Sequence, residues 1–130
     1  MHLVYHFEKQ PLQQPTMQSV ASLIGTFFRN VDWSEATHVV VAQSQGKIIG
    51  ACLLQSVEDK CFVMKLCTDF EFRKRGVATC ILDYVAQEFK VPINLHVDKN
   101  ARHDDLVNFY KRRAFQVDAE SEADTLMVRI

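Results

Sequence analysis

The sequence predicts an α/β fold in which helices pack on a mixed sheet. Three observations carry that expectation. The chain has 130 residues, a length that suits one domain around one core, residues 1–130. Its apolar residues switch from the runs and alternation of strands to the 3.6-residue stripe of helices and back. The resulting order is β-α-β-β-β-α-β-α-β-β, and strands with interspersed helices close into a layered sheet.

LVYHFEK, residues 3–9, reads as the first strand, and PLQQP, residues 11–15, breaks it because proline cannot continue a ladder. Thr16 is placed to cap a helix over about 17–30, with Met17, Val20, Ile24, Phe27 and Phe28 on one face. A connection over 30–37 holds one helical turn around Trp33. HVVVAQ (38–43), the turn SQGK and IIGACLLQSV (48–57) make a hairpin, and EDK leads into CFVMKLCTDF (61–70). These three strands are antiparallel, and their continuous apolar runs predict cover on both faces. Residues 76–89 are helical, with Val77, Ile81, Val85 and Phe89 on one stripe. INLHV (93–97) is a short strand after Pro92. Residues 103–113 form the last helix, with Leu106, Phe109, Tyr110 and Arg113 along one side. AFQV (114–117) and TLMVRI (125–130) close the sheet.

Bulk properties narrow the function. Hydrophobic residues make up 48% and charged residues 24%, the balance of a soluble globular protein. No apolar run reaches the length of a membrane span, and MHLVYHFEKQ has no signal core, so the expected location is cytoplasmic. A net charge of −1 argues against nucleic acid as a partner. Cations nevertheless cluster at 73–75 and at Lys111, Arg112 and Arg113, which suits a small anionic ligand. Cys52, Cys61, Cys67 and Cys80 make no metal-ligand spacing, so no metal is expected and the thiols read as buried and reduced. Cys67 is the one thiol retained as an alternative nucleophile.

Arg73, Lys74 and Arg75 stand directly against Gly76, where a helix begins. Adjacent like charges repel, and a bound polyanion relieves that repulsion. The first turn of a helix has unpaired N–H groups and partial positive charge. Gly76 leaves them uncovered, Ala78 keeps the turn thin and Thr79 adds a hydroxyl, so a phosphate fits there. The bland alternative is a solvated turn.

Arg73-Lys74-Arg75-Gly76-Val77-Ala78 resembles the Arg/Gln-x-x-Gly-x-Gly/Ala loop of the GNAT superfamily of N-acetyltransferases. VMKLCTDFEFRKRG resembles that family's fourth strand and phosphate loop, LHV at 95–97 its fifth strand, and NFYKRRAF its FYxxxGF segment. The likeness spans nearly the whole chain and implies a GNAT-like acyl-CoA N-acyltransferase fold. It implies that residues 73–79 (Arg73, Lys74, Arg75, Gly76, Val77, Ala78 and Thr79) hold the pyrophosphate of acetyl-CoA. It implies that Leu66, Cys67 and Thr68 run along the pantetheine arm, with the Thr68 N–H polarising the thioester carbonyl between splayed strands. Tyr110 matches the tyrosine that protonates the departing sulfur, although its place on an apolar stripe also suits a core residue. His96 is the general-base candidate, since imidazole titrates near neutrality; a structural sheet histidine is the alternative. Where family members place a tyrosine or a glutamate on the fourth strand, Phe62 and Met64 stand. His103 falls where the last helix usually opens with an asparagine that contacts pantetheine, Asn100 lies three residues earlier, and Ala114 replaces the usual glycine.

Acceptors of this family meet the first-helix loop and the last hairpin. Here the loop carries Asp32, Trp33 and Glu35, and VDAESEADT carries Asp118, Glu120, Glu122 and Asp124. Trp33, Glu35 and Asp69 are therefore the expected substrate-binding residues. The acceptor is expected to be a cationic amine: a polyamine, a lysine or N-terminal amine of a peptide, or an amino sugar. The competing function is a non-catalytic module that binds acetyl-CoA and reports it to a protein partner. The protein is expected to act as a monomer or homodimer without a membrane, and TLMVRI is the strand expected to pair with a second copy.

Overall fold

The structure, a computed structural model, describes residues 4–9 and 16–130, with side chains from residue 18 onward. The expected break at 11–15 lies outside the described residues, and the expected Thr16 cap and Met17 face rest on side chains outside them. The strands are β1 (Val4–Lys9), β2 (His38–Ser44), β3 (Lys47–Val57), β4 (Lys60–Thr68), β5 (Ile93–Asp98), β6 (Gln116–Glu120) and β7 (Asp124–Arg129). The helices are α1 (Thr16–Phe27), α2 (Val77–Phe89) and α3 (His103–Lys111), with single 3₁₀ turns at Trp33–Glu35 and Phe70–Phe72. The predicted order of elements therefore stands, with α1 and α3 shorter than expected.

One seven-stranded sheet runs β1-β2-β3-β4-β5-β7-β6. It is antiparallel except between β4 and β5. Covered faces explain the unbroken apolar runs. On one face Val20 and Ile24 of α1 meet Val39, Val41, Ala51 and Leu53. On the other, α2 and α3 meet Val40, Cys52, Leu54 and Leu95. Gly50 fixes how closely α2 approaches. A Cβ there would stand 2.9 Å from both Ile81 Cδ1 and Val77 Cγ1, so the helix rests on bare β3 backbone at its first turn.

Two expectations are corrected. TLMVRI, as β7, lies between β5 and β6 and has no free edge; β6 is the outer strand on that side. The polar stretch 117–125 is mostly strand, because β6 continues to Glu120 and β7 begins at Asp124. Only residues 121–123 form the turn. It is pinned by the Ser121 hydroxyl, which accepts from the Asp124 N–H at 3.1 Å.

Candidate active site

β4 and β5 pair only at Cys61–Ile93 and Phe62–Asn94, and then part. The gap opens into a cleft of about 830 Å³. Residues 63–68 of β4 and 95–98 of β5 form its walls, and the start of α2 and one side of α3 close it. A bulge prepares the parting. Leu53 pairs with Lys65 and Leu54 with Val63, which leaves Met64 as the extra residue. Side-chain parity changes across it: Val63 and Leu66 both pack toward α2 and α3, while Met64 and Cys67 pack toward α1.

The ladder to β3 also shows where the β4 amides point. The Asp69 N–H donates to the Ile49 carbonyl at 2.7 Å, and Gly50–Thr68 and Ala51–Cys67 precede it in register. Antiparallel amides alternate in direction, so those of Thr68 and Leu66 face away from β3. No strand meets them there, and they face the cleft.

A second set of donors comes from α2. Its first intrahelical bond runs from the Cys80 N–H to the Gly76 carbonyl at 3.0 Å, so the amides of Val77, Ala78 and Thr79 precede the ladder. No side chain caps this end, and no acid stands in its first turn. Gly76 has φ 80° and Lys74 φ 63°, both left-handed. A Cβ on Gly76 would meet nothing within 4 Å, so the space beside the amides is open. Arg73, Lys74, Gly76, Val77, Ala78 and Thr79 all line the cleft. Arg75 does not; its guanidinium lies 5.4 Å from the Phe72 ring centroid.

Tyr110 reaches the cleft from α3. Its ring meets Phe109 and Phe115 edge-on, with centroids 5.3 and 5.5 Å away. The Tyr110 carbonyl accepts from Arg113 and Phe115, closing the helix through Ala114 at φ 69°. That left-handed residue accounts for the glycine usual at this position of the family motif. Burial, and then the neighbouring Cys52 thiol, push the phenol up to about 12. The hydroxyl therefore keeps its proton throughout the neutral range.

His96 lines the cleft from β5 with its imidazole half exposed. Its Nδ1 lies 3.3 Å from Asp124 Oδ2 on β7. His103, expected along the pantetheine arm, is engaged elsewhere. Its Nδ1 lies 2.9 Å from Asp104 Oδ1 and its Nε2 2.8 Å from the Thr125 hydroxyl, which ties α3 to β7. Asn100 lines the cleft in its stead, with Oδ1 accepting from the Arg102 N–H.

The expected substrate residues do not line the cleft. Trp33 is partly buried against the α1-side core, and Glu35 lies exposed on its 3₁₀ turn. Asp69 borders a separate groove. One carboxylate oxygen caps the Phe70–Phe72 turn through the Glu71 N–H at 3.0 Å, and the other lies 3.7 Å from Lys47. Cys67 is buried, and burial pushes its thiol up to about 11, which suppresses the thiolate a nucleophile needs. Cys80 departs from the expected burial and is exposed; all four cysteines are free.

Several cleft residues were not singled out from sequence. Phe27 at the end of α1 and Phe28 just after it line it, and Lys65 lies over Phe28 at 5.0 Å. Arg73 lies over Phe27 and Phe70 at 4.9 and 4.3 Å. The Arg113 Nε–H donates to the Thr79 hydroxyl at 2.6 Å, so a cation from beyond α3 joins the start of α2. The basic cluster 111–113 was its signal. Apart from His96, five cations and one carboxylate, Asp98, line the cleft among the described residues. That imbalance suits an anionic ligand.

A family model described as an acetyltransferase (GNAT) domain matches residues 35–117. None of the curated proteins matches the chain by sequence. Among solved structures, an acyl-CoA N-acyltransferase from Pseudomonas aeruginosa superposes with a TM-score of 0.80 at 14% identity, covering 99% of this chain and 100% of its own. Arabidopsis thaliana Naa50 in complex with a bisubstrate analogue, CoA-Ac-MVNAL, gives 0.74 at 19% identity over 97% and 98%. The PaiA N-acetyltransferase of Thermoplasma acidophilum in complex with coenzyme A gives 0.73 at 13% over 97% and 98%. At these identities the structural matches show a shared fold.

Proposed function

Because the chain belongs to the GNAT acetyltransferase family, we propose that it moves an acetyl group from acetyl-CoA directly to a primary amine. The observation that carries this reading is the uncapped, acid-free start of α2, opening on a cation-lined cleft between parted strands. The amides of Val77, Ala78 and Thr79 lack intrahelical partners, and a pyrophosphate satisfies such donors. Arg73, Lys74 and Arg113 add charge there. The outward amides of Leu66 and Thr68 suit the pantetheine arm and the thioester carbonyl.

Acetyl-CoA supplies the acyl group as an activated thioester. The chain's own residues handle protons. Tyr110, protonated at neutral pH, donates to the departing sulfur. His96 accepts the proton of the amine. The splay parts β4 from β5 beyond their two paired positions, and the gap lets the two reactants meet side by side.

The acceptor is a cationic amine. Asp98 and Asp124 sit directly opposite each other on β5 and β7 beside His96. Like charges facing across a sheet repel, and an ammonium group between them relieves that repulsion. A polyamine, a lysine, a peptide N-terminus and an amino sugar all meet this description.

The test is calorimetry with acetyl-CoA, followed by thiol release across those amines. Wild type is expected to bind the donor and to turn over with at least one of them. Tyr110→Phe is expected to lower kcat by roughly 10²-fold or more with donor affinity kept. Absence of acetyl-CoA binding would sink the reading. Binding without turnover on any amine would replace it with the regulatory module.

A further inference from the structure

We infer that Asp124, held by Ser121, is the positioning residue for His96 and fixes which of its nitrogens is free to take the acceptor's proton. The inference rests on the enzymatic reading above and deepens it. Asp124 is the first residue of β7, directly opposite Asp98 and two residues before Leu126, the partner of His96. Its carboxylate divides its two oxygens between two groups. Oδ2 lies 3.3 Å from His96 Nδ1. Oδ1 accepts from the Ser121 hydroxyl at 3.3 Å. Ser121 is itself fixed, since its N–H donates to the Asp124 carbonyl at 2.9 Å and its hydroxyl accepts from the amides of Ala123 and Asp124 at 3.2 and 3.1 Å. The turn 121–123 thus aims one carboxylate at one ring nitrogen.

The two groups stand in ion-pair contact; a carboxylate has no proton to give at neutral pH, so the hydrogen bond open to it is one accepted from Nδ1–H. That assigns the neutral imidazole the Nδ1–H tautomer and leaves the lone pair on Nε2. The step it serves is balanced. A proton leaves the acceptor's ammonium nitrogen for Nε2, the freed amine forms the N–C bond, the C–S bond breaks as Tyr110 protonates the sulfur, and the nitrogen's second proton returns through water to the Tyr110 oxygen, leaving the neutral amide and the phenol. The resulting imidazolium is stabilised by Asp124, and its proton passes to solvent. The charged groups on the elements beside His96 are Asp98 on its own strand, Asp124 on β7 and, lining the cleft from β4, Lys65; Phe27 at the end of α1 and Phe28 just after it line the same cleft. Among the described residues, Asp124 is the one whose carboxylate lies within 4 Å of a His96 ring nitrogen.

The experiment is long-range ¹H–¹⁵N correlation on protein with labelled histidine, the His96 signals being assigned with His96→Gln. At alkaline pH the wild type is expected to show Nδ1–H with an unprotonated Nε2. Asp124→Ala is expected to shift His96 toward the Nε2–H form, and Ser121→Ala to do so in part. In turnover, Asp124→Ala is expected to lower kcat about tenfold or more with KM for acetyl-CoA unchanged, and Asp124→Glu to recover part of it. An Nε2–H tautomer in wild type, or a tautomer indifferent to Asp124→Ala in a folded variant, overturns the assignment. The tautomer reads without turnover, so a wild type that acetylates no amine refutes the enzymatic reading separately from this one.

Discussion

Two helices begin within this fold on opposite terms. α3 opens with Asp104 and Asp105 in its first turn, and the Asn100 side chain accepts from the Arg102 N–H just before it. Its positive end is met by its own acids. α2 opens at Gly76 with no acid and no capping side chain, and three cations precede it. By local energetics alone α3 is the better start, because each acid near a helix N-terminus contributes roughly 0.3–1 kcal/mol and a cation there costs a similar amount. The lesson is that the poor start is the useful one. α2 leaves uncompensated the positive end that the acids of α3 offset, and so keeps its first-turn amides and charge available to an anionic ligand.

Making α2 resemble α3 is the strongest way to break that comparison. Gly76→Asp places a carboxylate beside the bare amides, where the space is open although the left-handed backbone is strained for a side chain. Acetyl-CoA affinity by calorimetry is expected to fall about 100-fold, or about 2.7 kcal/mol; an unchanged Kd would refute the phosphate site. Ala78→Glu sharpens the same point with a milder change. Binding should weaken about tenfold while urea denaturation shows equal or slightly greater stability, since the added acid favours the dipole.

The seat of α2 gives the next effect. Gly50→Ala forces a Cβ against Ile81 and Val77, and overpacking of this kind costs about 1–3 kcal/mol. Chemical denaturation should show that loss, with weaker acetyl-CoA binding because the helix start moves with the helix. Converting α3 instead, by Asp104→Asn with Asp105→Asn, should cost about 1 kcal/mol of stability and leave the donor Kd alone. A drop in affinity there would mean that the two helix starts are not independent.

Alkaline pH gives the gentlest test, through groups that burial keeps neutral. Burial pushes Cys67 to about 11 from its ordinary 9.0, and Tyr110 to about 12 from 10.0. Both are raised, so the unfolded chain ionises first as pH rises. Their contribution to stability is whole below pH 9 and is lost progressively up to about pH 12. Denaturation midpoints should fall steadily over that window, and less steeply in Cys67→Ala.

Much of this molecule was legible in one dimension. The hairpin β2–β3 follows from β-branched runs around SQGK, and α2 from the stripe Val77, Ile81 and Val85, because period and turn chemistry are local properties. The uncapped helix start was equally local: three cations, a glycine and a small residue in sequence. Distance along the chain hid the rest. Thr79 and Arg113 meet across 34 residues, and Phe27 reaches the cleft only because α1 packs on one face of the sheet. His103 carries a position-matched expectation, yet its ring is drawn to Thr125 by a strand pairing that local pattern does not encode.

The series of elements, their apolar faces and the bare, basic start of α2 follow from residue order, since each depends on neighbours a few residues away. Packing in three dimensions sets where β4 leaves β5, which amides then face the cleft, and that His96 faces Asp124 while Asp69 faces Lys47. Those outcomes depend on sheet register and on a single extra residue at Met64. A shift of one position there would reverse which side chains face the cleft.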